Sequence, residues 1–215
     1  MEPCYGHSFS KENIKKFFND EAETRNGKSV KQEWKVNARK SFLEIIKKDN
    51  KKTLLEIGAG AGYDSLFFMN NGLNVIAIDI SAEMVKKCKD KNIEAYELDF
   101  YDLSSLNRKF DCIYSLNTFL YVPKKDLPKV IEKINSILNT DGLFYIGLYG
   151  GNDTVTEMVF GDVSDVPLFL AFHSEHYLKS ILRNTFEVIS FEHISIDNRI
   201  DFDTFYSIVL RKASK

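Results

Sequence analysis

Along residues 53–148, apolar runs of strand length alternate with amphipathic stretches of helix length. Thr53 to Ile57, Asn74 to Asp79, Ile93 to Leu98, Phe110 to Leu116 and Leu143 to Leu148 each read as a strand, several of them apolar almost throughout, as in a parallel sheet covered on both faces. Between them, three segments read as helices: Asp64 to Asn71, the stretch from Ser81 to about Lys91, and Asp126 to Leu138. Upstream, Ser10 can cap a helix from about Lys11 to Thr24. Trp34, Ala38, Phe42, Ile45 and Ile46 recur at three- and four-residue steps in a second helix from about Ser29 to Asp49. Downstream, Phe186 to His193 and Thr204 to Leu210 read as a closing, hairpin-like strand pair. The alternation predicts an α/β fold with a doubly wound, mainly parallel sheet and helices on both faces. No repeat, low-complexity segment or linker interrupts it, so residues 1–215 are expected to form one domain. Its parts are an N-terminal helical cap (1–52), a core (53–148), a lid-like insert and helix (149–185) and the closing pair (186–211).

Composition narrows the function classes. A chain of 215 residues is long enough for one well-buried domain. A formal charge of −2 and a pI near 6.1 give no general pull toward nucleic acid or anionic membranes. The charge is uneven: residues 1–52 carry 13 Lys/Arg against 8 Asp/Glu, and residues 153–215 carry 6 against 10. Cys4, Cys88 and Cys112 lie far apart with no CxxC pair, which argues against a zinc site or a disulfide framework. The first residues do not read as a signal peptide, and no apolar run approaches the ~18 residues of a membrane span. A cytoplasmic protein is expected, with no membrane or nucleic-acid partner, as a monomer or homodimer.

The chemistry concentrates at Glu56-Ile57-Gly58-Ala59-Gly60-Ala61-Gly62-Tyr63-Asp64, where a strand meets a glycine-rich turn and the start of a helix. Alternate glycines let the backbone turn sharply and approach a ligand, and the following helix points its N-terminal N–H groups at that turn. The dinucleotide fingerprint GxGxxG needs its third glycine where this chain has Tyr63. A carboxylate at Glu56 would also face a pyrophosphate, whereas it suits a ligand carrying an ammonium group. The segment resembles the first motif of the class I S-adenosylmethionine-dependent methyltransferases. Pro123 to Val130 and Ile137 to Phe144 resemble the same family's region before its fifth strand, with Asn139-Thr140-Asp141-Gly142 replacing the usual Leu-Lys-Pro-Gly-Gly. The resemblance covers about residues 53 to 211 and implies a seven-stranded sheet whose last strand is antiparallel.

S-adenosylmethionine is the cofactor the resemblance implies. Its binding residues would be Glu56, Gly58, Ala59, Gly60, Gly62 and Asp64, with Asp79 at the end of the second strand and Ile80 after it. Asp79 follows Gly58 by 21 residues, an offset that suits the ribose hydroxyls. Asp99 would accept the adenine amino group and Phe100 would cover the ring. Met84 could pack on the other adenine face and is equally explained as core. Ser115 and Leu116 would line the methionine portion, and Arg39 could reach the cofactor carboxylate or simply belong to a solvated helix face.

Substrate residues must come from outside the core. Tyr5, His7, Tyr121, Phe172 and His176 are the candidates for acceptor contact, and His173 and Tyr149 for general catalysis. No metal ligand set is apparent. Ser115-Leu116-Asn117-Thr118 lacks the Asn-Pro-Pro-Tyr pattern of the amine-modifying branches, which turns the reading toward a small-molecule acceptor of O-, N- or C-type. Alternatives remain: methylation of a protein or RNA, a nicotinamide-dependent enzyme, or a non-catalytic domain.

Overall fold

The computed structural model describes residues 10–27, 32–196 and 204–213, and of Asn26 and Gly27 only the backbone. Helices α1 (Lys11–Gly27) and α2 (Glu33–Lys48) lead into the alternating core. That core runs β1 (Thr53–Ile57), α3 (Tyr63–Asn70), β2 (Asn74–Asp79), α4 (Ala82–Lys89), β3 (Glu94–Glu97), β4 (Phe110–Leu116), α5 (Leu127–Ile137) and β5 (Leu138–Tyr149). Then come β6 (Thr154–Met158), β7 (Leu168–Phe172), α6 (Glu175–Leu182), β8 (Phe186–Ser195) and β9 (Thr204–Lys212). Seven strands form one sheet in the order β3-β2-β1-β4-β5-β9-β8. Only β9 runs antiparallel to its neighbours, β5 and β8, as the resemblance implies.

The strand order reverses between β1 and β4, which pair directly in parallel. This is the switch point at which an open α/β sheet leaves a crevice beyond its strand carboxyl ends. Both faces of the sheet are sealed. Ile57, Ile113, Ile146 and Ile208 pack under α5 and α6 on one side. Leu54, Tyr114, Tyr145 and Val209 pack under α2 and α3 on the other, where the Tyr114 and Tyr145 rings stack at 4.7 Å.

Four expectations change in detail. The fifth strand starts five residues early: Phe110 pairs with Leu138 and Cys112 with Leu143, so Asn139–Gly142 bulges out of a continuous strand. Asp141 at φ +56° and an Asn139 Nδ2 bond to Asp111 Oδ1 (2.8 Å) hold that bulge, so the turn residues act inside a strand instead of ending a helix. The third strand stops at Glu97, because Asp99 accepts the Tyr101 N–H and caps a 3-10 helix over Phe100–Leu106. The second helix begins at Glu33, and positions 28–31 lie outside the described residues. The insert contains a second, two-stranded antiparallel sheet of β6 and β7, which apolar composition alone did not mark as strands.

Candidate functional site

The glycine turn is built as its spacing demands. Gly58, Gly60 and Gly62 all have positive φ (+72°, +54° and +79°), the region where a Cβ is costly. A Cβ on Gly58 would stand 2.1 Å from Thr118 Oγ1, which itself donates to the Ile57 carbonyl at 2.9 Å. Gly58 therefore lets the segment after β4 close against β1. A Cβ on Gly60 would meet nothing nearer than Arg25 Nη1 at 4.0 Å. Gly60 thus faces open space at the carboxyl end of the sheet, a cradle for a bound group.

Carboxylates surround this turn. Glu56 is buried on β1 and accepts from Ser65 Oγ in the first turn of α3. Asp79, at the end of β2, accepts the Gly60 N–H (2.8 Å) and the Ser81 N–H (2.9 Å). Burial pushes the Asp79 carboxyl above its ordinary value, opposed by those N–H bonds and by the nearby Arg25 guanidinium. Asp64 lies on α3 and pairs with Arg39 of α2 at 2.6 Å. The Arg39 guanidinium also stacks 3.9 Å from the Phe67 ring centroid, and its Nε is buried without a partner. At the end of β4, Ser115 Oγ and Asn117 Oδ1 are likewise buried with no protein partner. Orphaned acceptors beside an open glycine cradle fit a ligand with an ammonium and hydroxyl groups, as S-adenosylmethionine has.

Over this floor lies a roof. One side of α1 meets the far rim of the crevice: Lys11 pairs with Asp99 (2.6 Å), Lys15 with Glu97, and Glu23 with Lys87. Ser81 Oγ donates to Asn19 Oδ1 at 2.6 Å in the same row. The other side meets the insert, with Lys16 on Asp165 (2.9 Å), Ser164 on Asp20 (2.6 Å) and Asn13 on the Pro167 carbonyl (3.3 Å). Beneath, Ile14 and Phe17 join Leu120, Tyr149, Leu170, Phe172 and Phe205 in one apolar cluster. Phe18 stands edge-on to Tyr121 at 5.2 Å, and burial pushes the Tyr121 phenol up to about 12.

The expected residues distribute as follows. Glu56, Gly58, Gly60, Asp64, Asp79 and Ser115 gather about the turn at the carboxyl end of β1. Ala59, by contrast, packs into the core with Ala77, Val85 and Cys88, and a Cβ on Gly62 would meet Ile93 and Cys88. Ile80 and Leu116 pack at the edge of the roof cluster, and Phe100 lies against Tyr101 beside Asp99. Met84 is fully buried under Ala22 and Ala61, which is the core reading of that residue. Tyr149 is 8% exposed, and Lys35 Nζ lies 3.3 Å from its hydroxyl. His173 is buried between the backbone of Phe119 and Val122 and the Tyr177 ring, where desolvation holds its imidazole below the ordinary value. His176 is exposed in the first turn of α6, among solvent and not among the roof rings. Tyr5 and His7 lie outside the described residues. Thr118 and the crevice-facing residues of α1 were not anticipated as site residues. The polar row Lys11, Lys15, Asn19, Glu23 at four-residue spacing was the available signal for α1.

Comparison with known proteins decides the family. A family model described as a methyltransferase domain matches residues 54–142, the stretch from β1 into β5 that carries the glycine turn, Asp79 and Asp99. The chain belongs to the class I S-adenosylmethionine-dependent methyltransferases. A UPF0146 protein of Methanocaldococcus jannaschii is 31% identical over 107 residues, covering 47% of this methyltransferase and 74% of the relative. An uncharacterized protein of Rickettsia prowazekii strain Madrid E is 28% identical over 178 residues, 75% of this chain; the chain spans 66% of that protein's length. Magnesium protoporphyrin IX methyltransferase of Synechocystis PCC 6803, solved with S-adenosylhomocysteine, superposes with a TM-score of 0.70 at 16% identity. That match covers 94% of this chain and 99% of the other, and it establishes the shared fold.

Proposed function

We propose that this methyltransferase transfers the methyl group of S-adenosylmethionine to a small-molecule acceptor held under α1 and the β6–β7 sheet. The observation that carries the reading is the roof: apolar and aromatic side chains from α1, the insert and β9 close over the carboxyl ends of β4 and β5. A closed apolar cover of this kind suits a compact acceptor better than an extended RNA or protein surface.

The residues present suit the cofactor. Asp79 would hold the ribose hydroxyls, Asp99 the adenine amine and Glu56 the ammonium. Arg39 would face the carboxylate, and Ser115 and Leu116 would flank the methionine chain. The cofactor, when bound, supplies a methyl on a sulfonium leaving group. The protein's own task is then to align the acceptor with that methyl and keep water out. The roof does both, with Phe172 and Tyr121 among the walls of the acceptor space. An acceptor that starts protonated needs a base. Tyr149 is better placed for that than His173, because its hydroxyl lies in the roof cluster beside Lys35.

Titration calorimetry with S-adenosylmethionine, S-adenosylhomocysteine and NADH tests the cofactor. Micromolar binding of the first two, silence with NADH and at least a tenfold loss in Asp79→Ala are expected. A small-molecule screen for S-adenosylhomocysteine release then tests the acceptor class. Turnover only with RNA or protein fractions would overturn that part.

A further inference from the structure

The row of α1 that meets the crevice rim has an unusual first member. Asp99 has two carboxylate oxygens, and both are engaged within the chain. Oδ1 accepts the Tyr101 N–H at 2.9 Å, which caps the 3-10 helix. Oδ2 takes Lys11 Nζ at 2.6 Å. The same ammonium sits 4.0 Å from the Tyr101 ring centroid, so it is held over the rim by a charge and by a π face. The Asp99 side chain is 14% exposed and that of Lys11 41%, so the pair lies at the mouth of the crevice and not in its floor.

From this we infer that Lys11 competes with the cofactor's adenine amino group for Asp99, so that adenine recognition unlatches the first turn of α1. The inference rests on the proposed role of Asp99 toward adenine. Oδ1 already serves the cap, so an amino group reaching Asp99 is directed to Oδ2, where it brings a neutral donor into the space of an ammonium. Lys11 then keeps Tyr101 but loses its counter-charge. Three further links in the row, from Lys15, Asn19 and Glu23, still hold α1 to the rim, so the end of the helix is freed without loss of the roof. Cofactor affinity is thereby set below what the crevice alone would give, and exchange of cofactor is coupled to motion of the helix that covers the acceptor space.

Calorimetry on three variants separates this from its alternatives, with S-adenosylhomocysteine and its deaminated counterpart S-inosylhomocysteine as probes. Lys11→Met should tighten S-adenosylhomocysteine by about two- to fivefold, the scale of one partly exposed ion pair. It should leave S-inosylhomocysteine unchanged, because that probe brings no amino group to Asp99. Lys15→Met loosens the same helix without freeing Asp99, so it should leave the S-adenosylhomocysteine affinity unchanged. Asp99→Asn should weaken the adenosyl probe and erase the preference between the two probes. If Asp99→Asn changes nothing, the adenine role of Asp99 is wrong. If it weakens binding while Lys11→Met leaves binding unchanged or weaker, Lys11 is a clamp on the closed roof and the competition is overturned. Equal tightening by Lys11→Met and Lys15→Met would overturn it too, since general loosening would then explain the gain.

Discussion

At the scale of single residues, the glycine turn separates structural from binding constraint. Gly58→Ala drives a methyl into the Thr118 side chain at positive φ, against the oxygen that makes the Thr118–Ile57 hydrogen bond. A loss of about 2–4 kcal/mol in unfolding free energy is expected from clash and strain together. Gly60→Ala has the φ penalty alone, about 1–2 kcal/mol, yet its methyl would occupy the cradle over which a ligand passes. Urea unfolding and calorimetry on both variants check this: the first should lose stability most, and the second should lose cofactor affinity out of proportion to its stability. His173 supplies a pH test. Its native value lies below the ordinary 6.5, so on acidification the unfolded chain takes up the proton first. Its share of stability is therefore level above about pH 7 and falls as pH drops through 6.5 toward the lowered native value. His173→Gln removes that proton uptake, so the drop in urea midpoint between pH 7.5 and 5.5 should be smaller than in the parent chain. An equal drop would mean that His173 holds its proton equally in the folded and unfolded chain, and a larger drop in the variant would mean that it is protonated and paired when folded.

At the scale of elements, capping residues join the floor to the roof. Ser81 accepts the Met84 N–H at 3.1 Å to start α4, and its hydroxyl proton goes to Asn19 of α1. Ser174 caps α6 in the same manner (3.1 Å to Tyr177 N) but donates to Asp153 of the insert. Replacing either serine by alanine should cost about 1 kcal/mol in thermal unfolding. Only Ser81→Ala should also raise amide exchange in α1. Equal exchange in the two variants would mean that the Ser81–Asn19 bond carries none of the roof's attachment. The same comparison shows why some elements were legible and others were not. Strands β1, β2 and β4 are written in contiguous apolar runs, and the Ser81 and Ser174 caps in local spacing. The placement of α1 depends on partners such as Asp99, Lys87 and Asp165, which are remote in sequence, and a Lys-rich helix face reads as solvated until those partners are known. The β6–β7 strands were hidden for a related reason: Thr154–Met158 pairs only with Leu168–Phe172, across a loop with no tight-turn signature.

At the scale of the whole molecule, stability is distributed unevenly, and the uneven part is the functional one. The central strands β1, β4 and β5 are buried on both faces and bonded on both edges, so their amides are released only by global opening. Helix α1 is attached differently. Its apolar underside holds Ile14, Phe17 and Ala22, but both flanks are fixed by ion pairs and side-chain hydrogen bonds at the surface. Such links are individually weak and salt-sensitive. Hydrogen exchange read by mass spectrometry should therefore show amides in α1 exchanging at least tenfold faster than those of β1 and β4, and faster again at high salt. S-adenosylhomocysteine should slow exchange over Gly58–Gly62 and in α1 beyond its first turn, which loss of the Lys11–Asp99 pair frees, while leaving β8 and β9 as they were. If α1 were as protected as β1 before ligand is added, the roof would be part of the global fold. Cofactor and acceptor would then have to enter between α1 and the insert, without the helix lifting.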